Sequence, residues 1–377
     1  MKESGLYIHI PFCDHKCVYC DFYSITKFDE MDRYAAALEI EMKHYAALFS
    51  SSHYFTSVFF GGGTPSLMPP RLIEGIINSL HKFFNISADA EITLETNPGT
   101  VNFETLKSFK SSGINRISIG IQSFDDEDLK FLTRVHNSKE AITTVRQAAE
   151  IFTNINIDLI FNLPNQTKEK WLLNLEQAIN LPVSHISAYS LILERGTILN
   201  KLVKEKKVTI SDEDYDAQLY GLTIDFLTSR GFNHYEVSNF TKVGHECRHN
   251  NHYWRYNNYL GFGTSAHSFM NNERWNNFRS LRLYMESVAE DSTAVASRES
   301  ISAESSHDEY VMLALRSKGL DLNEYETMFA NKIIINSAKL IEDLIAKKYL
   351  YKEKGLLKLT GKGYCICDEI LVKILFP

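Results

Sequence analysis

The sequence predicts an α/β fold, a partial (βα)6 barrel followed by a mostly helical, winged-helix-like C-terminal domain. Three observations carry that expectation. Six short apolar segments recur through the first part of the chain, each followed by a polar loop and then a stretch of helical period. The loops behind them hold Gly, Pro and Cys, residues that turn a chain or carry chemistry at strand ends. Beyond residue 300 the repeat gives way to helical patterns and one hairpin signal. With 377 residues, 44% of them hydrophobic and 12% aromatic, the chain can bury a core large enough for one barrel and an appendage.

The first strand is expected over residues 6–10, where apolar positions alternate with Tyr7 and His9 until Pro11 stops them. From Asp29 the period changes, and Tyr34, Leu38, Met42 and Tyr45 recur at helical spacing to about Phe49. A second strand over 57–60 runs into Gly61-Gly62-Gly63-Thr64-Pro65, with a helix over 70–84 behind it. The third, 91–95, ends at Glu95 before Thr96-Asn97-Pro98-Gly99, and its helix carries Leu106 and Phe109. Strands over 114–121, 155–161 and 185–191 complete six βα units, which implies a parallel sheet curling towards a barrel over residues 1–232.

From 233 to 299 the pattern is irregular. Residues 234–267 hold five of the thirteen histidines, His234, His245, His249, His252 and His267, with Cys247, Tyr253 and Trp254 among them. A Ser/Ala/Glu-rich stretch over 290–306 suggests a linker or exposed connection. In the C-terminal domain, 300–377, helices are expected over 310–316, 322–329 and 333–347, then a hairpin over 350–357 and a last helix holding Cys365 and Cys367 as ordinary half-buried residues. A winged helix would suit DNA, but residues 301–377 carry eleven basic and eleven acidic side chains, so packing or docking is the better expectation.

A net charge of −7 argues against phosphate backbones and anionic lipid as partners, so no nucleic acid is expected. There is no run of eighteen apolar residues, and the apolar start is too short for a signal peptide. The expectation is a cytoplasmic protein, peripheral at a membrane only through a partner. Six cysteines in so long a chain do not make a disulfide framework.

Chemistry in such a fold gathers at the carboxyl ends of the strands. There lie Cys13, Cys17 and Cys20 in C-x3-C-x2-C spacing, then the GGGTP loop, Glu95, Gln122 and Asp158. Three neighbouring thiolates repel one another and oxidise easily, so they suit a soft metal centre. They can hold three corners of a 4Fe–4S cube and leave one iron open, whereas structural zinc wants four ligands and only Asp21, His9 and His15 stand near.

This spacing after a strand, with Tyr19 before the last cysteine, resembles the radical S-adenosylmethionine (SAM) superfamily. The resemblance implies a partial radical SAM barrel, a 4Fe–4S cluster on Cys13, Cys17 and Cys20, and SAM chelated at the open iron and cleaved by one electron to a 5′-deoxyadenosyl radical. It assigns the SAM amino group to Gly62, Gly63 and Thr64, a carboxylate role to Glu95, the ribose to Gln122 and Asp158, and the SAM carboxylate to Arg134. Tyr7, Tyr19 and Ile192 become flanking contacts, and a one-electron donor such as flavodoxin or ferredoxin becomes a partner.

LYIHIPFC, FFGGGTPS, ETNPG, RISIGIQSF, NIDLIFNLP, HYEVSNF and GFGTSAHS together resemble the coproporphyrinogen III oxidase-like group over about residues 4 to 370. Its two branches are the oxygen-independent oxidases, which decarboxylate porphyrinogen propionates, and haem chaperones of the HemW type. The oxidases add a cysteine two positions after the third, where this chain has Cys20-Asp21-Phe22, and an N-terminal extension ahead of the cluster, where this chain begins almost at strand one. His249-Asn250-Asn251-His252-Tyr253-Trp254 matches the HNxxYW haem motif of the chaperones. The resemblance therefore implies haem as a third cofactor, bound through His249, His252, Tyr253 and Trp254, with His249 first choice for the iron and His252 and Cys247 next. Residue types alone fit a core-packed aromatic pair beside a hydrogen-bonded surface loop of histidines equally well.

The expected function is a haem chaperone that delivers haem to haem-requiring respiratory membrane enzymes, and it is not expected to act as a coproporphyrinogen oxidase. The alternatives are a SAM-dependent porphyrinogen decarboxylase and a zinc module with a DNA-contacting wing. Whether SAM is cleaved or only bound, and whether the chain forms a homodimer, stay open.

Overall fold

The computed structural model describes residues 1–329 and 337–376. At its centre, β1 (Lys2–Ile10), β2 (His53–Gly62), β3 (Ile86–Thr96), β4 (Arg116–Gln122), β5 (Asn154–Phe161) and β6 (His185–Ser190) pair in parallel in that order. The chain returns between them through α1 (Met31–Phe49), α2 (Pro70–Phe83), α3 (Phe103–Ser111), the pair α4 (Asp126–Phe131) and α5 (Ser138–Ala149), and α6 (Lys168–Ile179). The capping boxes of Asn102 with Thr105 and Asn137 with Glu140 fix the starts of α3 and α5.

Side chains alternate across each strand, and the two faces differ in chemistry. Val58 and Phe60, Ile92 and Leu94, Ile117 and Ile119, Ile155 and Ile157 enter the continuous apolar core. The alternate positions, Ser57, Glu91, Arg116, Ser118, Asn156 and His185, are equally buried yet polar. Three of them are hydrogen-bonded in a row across the sheet: Asn156 Nδ2 donates to Ser118 Oγ at 2.8 Å, and Asn156 Oδ1 lies 2.6 Å from His185 Nδ1.

Helices α7 (Ile198–Lys204) and α8 (Glu213–Ser229) lead into β7 (Asn233–Glu236) and β8 (Asn239–Thr241), and β8 pairs antiparallel with β6. The chain then crosses through α9 (Arg248–Trp254) to the opposite side, where β9 (Asn258–Phe262) lies parallel to β1. β10 (His267–Met270), β11 (Glu273–Asn277) and, after α10 (Leu281–Asp291), β12 (Val295–Ser300) extend that side antiparallel. The result is one twelve-stranded sheet with β12 and β7 at its two ends.

Region 233–299 is therefore regular, contrary to expectation. The stretch over 290–306 is no linker: it holds the end of α10, the whole of β12 and the start of the next helix. Its polar composition reflects an edge strand that is exposed almost throughout, held by pairing such as Trp275 with Arg298.

The C-terminal part is the expected mixture of helices and a wing. α11 (Ala303–Leu315), β13 (Leu320–Asp321), α12 (Leu322–Phe329) and α13 (Ala338–Ala346) precede a hairpin of β14 (Leu350–Glu353) and β15 (Leu356–Leu359), and β13 pairs with β15. Of the helix expected over 333–347, residues 333–336 lie outside the described residues. The last helix is two: α14 (Gly361–Tyr364), which Cys365 ends, and α15 (Cys367–Leu375). The apolar core continues from α8 into these helices, and Val237 N donates to Arg316 O at 2.9 Å, so this part packs against the sheet. Among the described residues no helix is long and apolar enough to cross a membrane.

Candidate functional site

The cysteine loop leaves β1 at Pro11 and is pinned at both ends. Cys13 N donates to Ile25 O at 2.9 Å and Ile25 N to Pro11 O at 2.8 Å, while fully buried Phe12 packs edge-on against Tyr34. The GGGTP loop clamps it from the side: Gly63 N donates to Ile10 O and Thr64 N to Phe12 O, each at 2.7 Å. Cys13, Cys17 and Cys20 are all free thiols. Cys13 Sγ lies 3.0 Å from His15 O and 3.4 Å from Thr64 Oγ1, and Arg134 Nη1 lies 3.6 Å from Cys17 Sγ. Burial pushes the Cys20 thiol up. Among the described residues no three His, Cys, Asp or Glu side chains gather as they would around a single ion. Three free thiols lining one cavity can hold three corners of a 4Fe–4S cube and leave the fourth iron open.

That cavity, about 530 Å³, lies at the carboxyl ends of the strands. Cys13, Cys17 and Cys20 line it together with Tyr19, Gly62, Gly63 and Thr64. So do Glu95, Gln122, Arg134, Asp158 and Ile192, contributed by the ends of β3 and β4, the middle of β5 and loops. Tyr7 does not. It lies behind the rim, beside Gly61 and Glu95, and lines a second cavity instead, because its turn of the β1 alternation carries the ring towards α9.

The rim groups are held rather than free. Glu95 Oε2 accepts from Gly62 N at 3.2 Å; burial, then the nearby Asp158 carboxylate, push its carboxyl up to about 8. Asp158 accepts from Asn156 Nδ2 at 2.8 Å and Ser118 Oγ at 3.2 Å, and burial raises it too. Arg134 is not on a helix but in the turn between α4 and α5, where Nη2 donates to Asn97 Oδ1 at 2.5 Å and to Gly120 O at 2.8 Å. Its buried Nε has no partner among the described residues. Gln122 has φ 72°, a left-handed conformation that costs a non-glycine residue about 1–3 kcal/mol and clusters at ligand sites. Two carboxylates, one guanidinium and an amide around a cavity of this size suit a ligand with an ammonium, a carboxylate and vicinal hydroxyls, as SAM has.

Asn97 was missing from the sequence expectations. It joins Arg134 to Thr64, whose Oγ1 accepts from Asn97 Nδ2 at 2.9 Å. Its signal was its place two residues after Glu95, in the turn that follows β3.

The HNNHYW segment is α9, and it sits inside the curved sheet at the level of Ser57. Ser57 is five residues before Gly62 on β2, so α9 lies about 16 Å below the rim. His249 and His252 are 1% and 3% exposed, which excludes a surface loop. His249 is engaged at both nitrogens, with Ser57 Oγ 2.9 Å from Nδ1 and Tyr253 OH 2.8 Å from Nε2. His252 Nε2 lies 3.0 Å from Thr56 Oγ1. Burial drives both imidazoles towards the neutral form, His252 down to about 4. Cys247 is buried, 3.6 Å from Glu91 Oε1, and burial raises its thiol to about 12. Trp254 is half-buried at the end of the helix.

Residues 7–177 match the radical SAM superfamily. Over 97% of its own length and 97% of the relative's, the chain is 31% identical to the heme chaperone HemW of Bacillus subtilis (strain 168). It is 33% identical to the heme chaperone HemW of Mycobacterium tuberculosis (strain ATCC 25618 / H37Rv), over 98% of this chain and 94% of that one. Its fold is similar to that of the radical SAM enzyme coproporphyrinogen III oxidase (HemN) from Escherichia coli, with a TM-score of 0.85 over 100% of this chain and 90% of that one at 24% identity. A cysteine loop, rim and motif helix in these positions, with similarity running the length of the chain, make it a member of the heme chaperone HemW family within the radical SAM superfamily.

Proposed function

We propose that the protein binds a 4Fe–4S cluster on Cys13, Cys17 and Cys20, SAM in the rim cavity, and haem, and that it hands haem to haem-dependent respiratory enzymes. The observation that carries the cofactor reading is the single cavity onto which the three free cysteines and Glu95, Gln122, Arg134 and Asp158 all open. When bound, the cluster supplies one electron at a time from a donor such as flavodoxin or ferredoxin. The chain's own part is positional. Arg134, locked by Asn97 and Gly120, presents a fixed fork to the SAM carboxylate. Glu95 faces the ammonium, and Asp158 with Gln122 takes the ribose hydroxyls.

The haem part is supported by the full-length similarity to proteins called heme chaperone HemW and by Asp21-Phe22 where the oxidases would place a further cysteine. Association with a membrane through the receiving partner, and a homodimer, belong to the same proposal.

Anaerobic reconstitution should give about four irons per chain, and stoichiometric zinc without iron would sink the cluster assignment. Reconstituted, reduced protein is then incubated with SAM and coproporphyrinogen III. The chaperone reading expects no decarboxylated product, together with a Soret band on adding haem and transfer of that haem to an apo-respiratory enzyme. Product formation would replace it with the porphyrinogen oxidase reading.

A further inference from the structure

A second cavity, of about 550 Å³, lies behind the cysteine loop. Asp21 and Phe22 border both cavities, so the loop that carries the cluster cysteines is their common wall. Tyr7 on β1, Tyr253 on α9 and Tyr259 on β9 supply aromatic surface, with Tyr253 and Tyr259 edge to face at 4.7 Å between centroids. Arg279 stands exposed at its edge.

Three features mark a built site rather than a packing gap. Asn277, 1% exposed, leaves its Oδ1 without a partner among the described residues, although its Nδ2 is used twice, by Glu41 and Gly263 O. Ser265 Oγ, also a lining group, is likewise buried and unpartnered, and Ser265 is held at φ 60°, in the left-handed region. Buried polar atoms are nearly always paired, and here two unpaired ones belong to residues of one cavity wall. The third feature is a difference between two histidines. His9 is committed at both nitrogens, 3.1 Å from Tyr7 OH and 3.3 Å from Tyr23 O. His267, at the start of β10, makes no side-chain hydrogen bond among the described residues and is open to solvent. Partial burial of its ring, then Arg274, lower its pKa and favour the neutral form, which is the form that ligates a metal.

We propose that this cavity seats the porphyrin of haem, with His267 as the imidazole on the iron and Arg279 on a propionate. The proposal rests on the haem-binding reading above and moves the iron ligand out of HNNHYW. His249 has no free nitrogen, since Ser57 and Tyr253 take both. The motif acts instead by fixing Tyr253 in the cavity wall, with His249 as the positioning residue. The chemistry matches the ligand: a flat aromatic macrocycle between phenol rings, an axial neutral imidazole, and a guanidinium for a carboxylate. Arg279 now donates to Asp21 O at 3.0 Å, so a propionate that draws Arg279 away also touches the cysteine loop.

The test titrates the full-length, anaerobically reconstituted protein with hemin, read by Soret and visible absorbance and by EPR of the ferric spin state. Wild type should show saturable binding with an imidazole-ligated spectrum. His267→Ala, at an exposed strand end, should keep its melting temperature, lose that spectrum and regain it when free imidazole is added. Arg279→Ala should weaken hemin about tenfold without changing the axial spectrum, the loss expected for one charge-assisted hydrogen bond. Absence of saturable binding by wild type would overturn the haem reading itself. Binding by wild type with an unchanged spectrum in His267→Ala would overturn this assignment alone, and loss of the imidazole spectrum in His249→Gln at unchanged stability would return the iron to the motif.

Discussion

Ser57 Oγ and His249 Nδ1 lie 2.9 Å apart, and that contact ties the middle of β2 to the helix that crosses the sheet's interior. The His249 ring stacks on Phe59 at 5.1 Å between centroids, and its other nitrogen holds Tyr253. His249→Ala removes a fully buried ring and leaves two buried hydroxyls without it, so a loss of about 2–4 kcal/mol is expected. Urea denaturation checks this, with His249→Gln expected to lose less because an amide keeps one of the two bonds. Equal stability of the alanine variant and wild type would mean that α9 is not anchored here.

Arg134 offers a sharper test at the rim. Lysine would keep the charge at this position but cannot hold Asn97, Gly120 O and Cys17 Sγ while presenting a fork to a ligand. Arg134→Lys should therefore weaken SAM about tenfold, and Asp158→Asn, which keeps an acceptor for Ser118, should weaken it by about 1–3 kcal/mol. Equilibrium dialysis with labelled SAM measures both. Unchanged affinity in the pair would remove these residues from the SAM site.

Glu95 should make SAM binding depend on pH. Burial and Asp158 raise its carboxyl from 4.5 to about 8, against the pull of Gly62 N–H and Arg116, so the free protein holds it protonated at neutral pH. The folded value lies above the unfolded one. Its contribution to stability is therefore complete below about 4.5 and is lost as pH rises through about 8. An ammonium placed against it favours the carboxylate and expels that proton, so wild-type affinity for SAM should rise as pH increases towards 8. Glu95→Gln should show weaker binding, a flatter pH profile and a smaller loss of stability over the same window. A flat wild-type profile would put the ammonium elsewhere.

What could be read from the sequence, and what could not, divides by the range of the interactions. β1 to β6 were legible because each shows an alternating or continuous apolar pattern with a turn signal behind it, and the rim residues because such folds keep their chemistry at those strand ends. β7 to β12 were not. They are short, β12 is wet on both faces, and β9 owes its existence to pairing with β1, as in Ser4 with Asn258, across most of the chain. Local pattern carries little of that. Tyr7 shows the same limit on one residue. Alternation puts its side chain opposite Leu6 and Ile8, but which of two cavities it enters depends on α9 lying beside it. The polar residues Glu91, Arg116 and His185 are legible in principle, as alternate positions of the third, fourth and sixth strands.

Gly63 gives the last prediction, because two glycines in neighbouring elements should respond to the same substitution in opposite directions. A Cβ on Gly63 would stand 2.5 Å from Phe12 O in the cysteine loop and 3.0 Å from Ile10 O at the end of β1, backbone atoms that cannot swing aside. The same loop depends on Gly63 N for its contact at Ile10. Gly63→Ala must push the loop away from β2, at a cost of about 1–3 kcal/mol typical of overpacking, and with it the geometry of Cys13 and Cys17. Gly75, in the interior of α2, has nothing within 4 Å of the point where a methyl group would stand, so Gly75→Ala should stabilise the protein by roughly 0.5–1 kcal/mol through helix propensity alone. Iron content after anaerobic reconstitution and the melting temperature separate the two. Gly63→Ala should hold fewer than about four irons per chain and melt earlier, while Gly75→Ala should match wild type in iron and melt later. Full iron loading in Gly63→Ala would show that the cluster does not need the clamp between the GGGTP and cysteine loops.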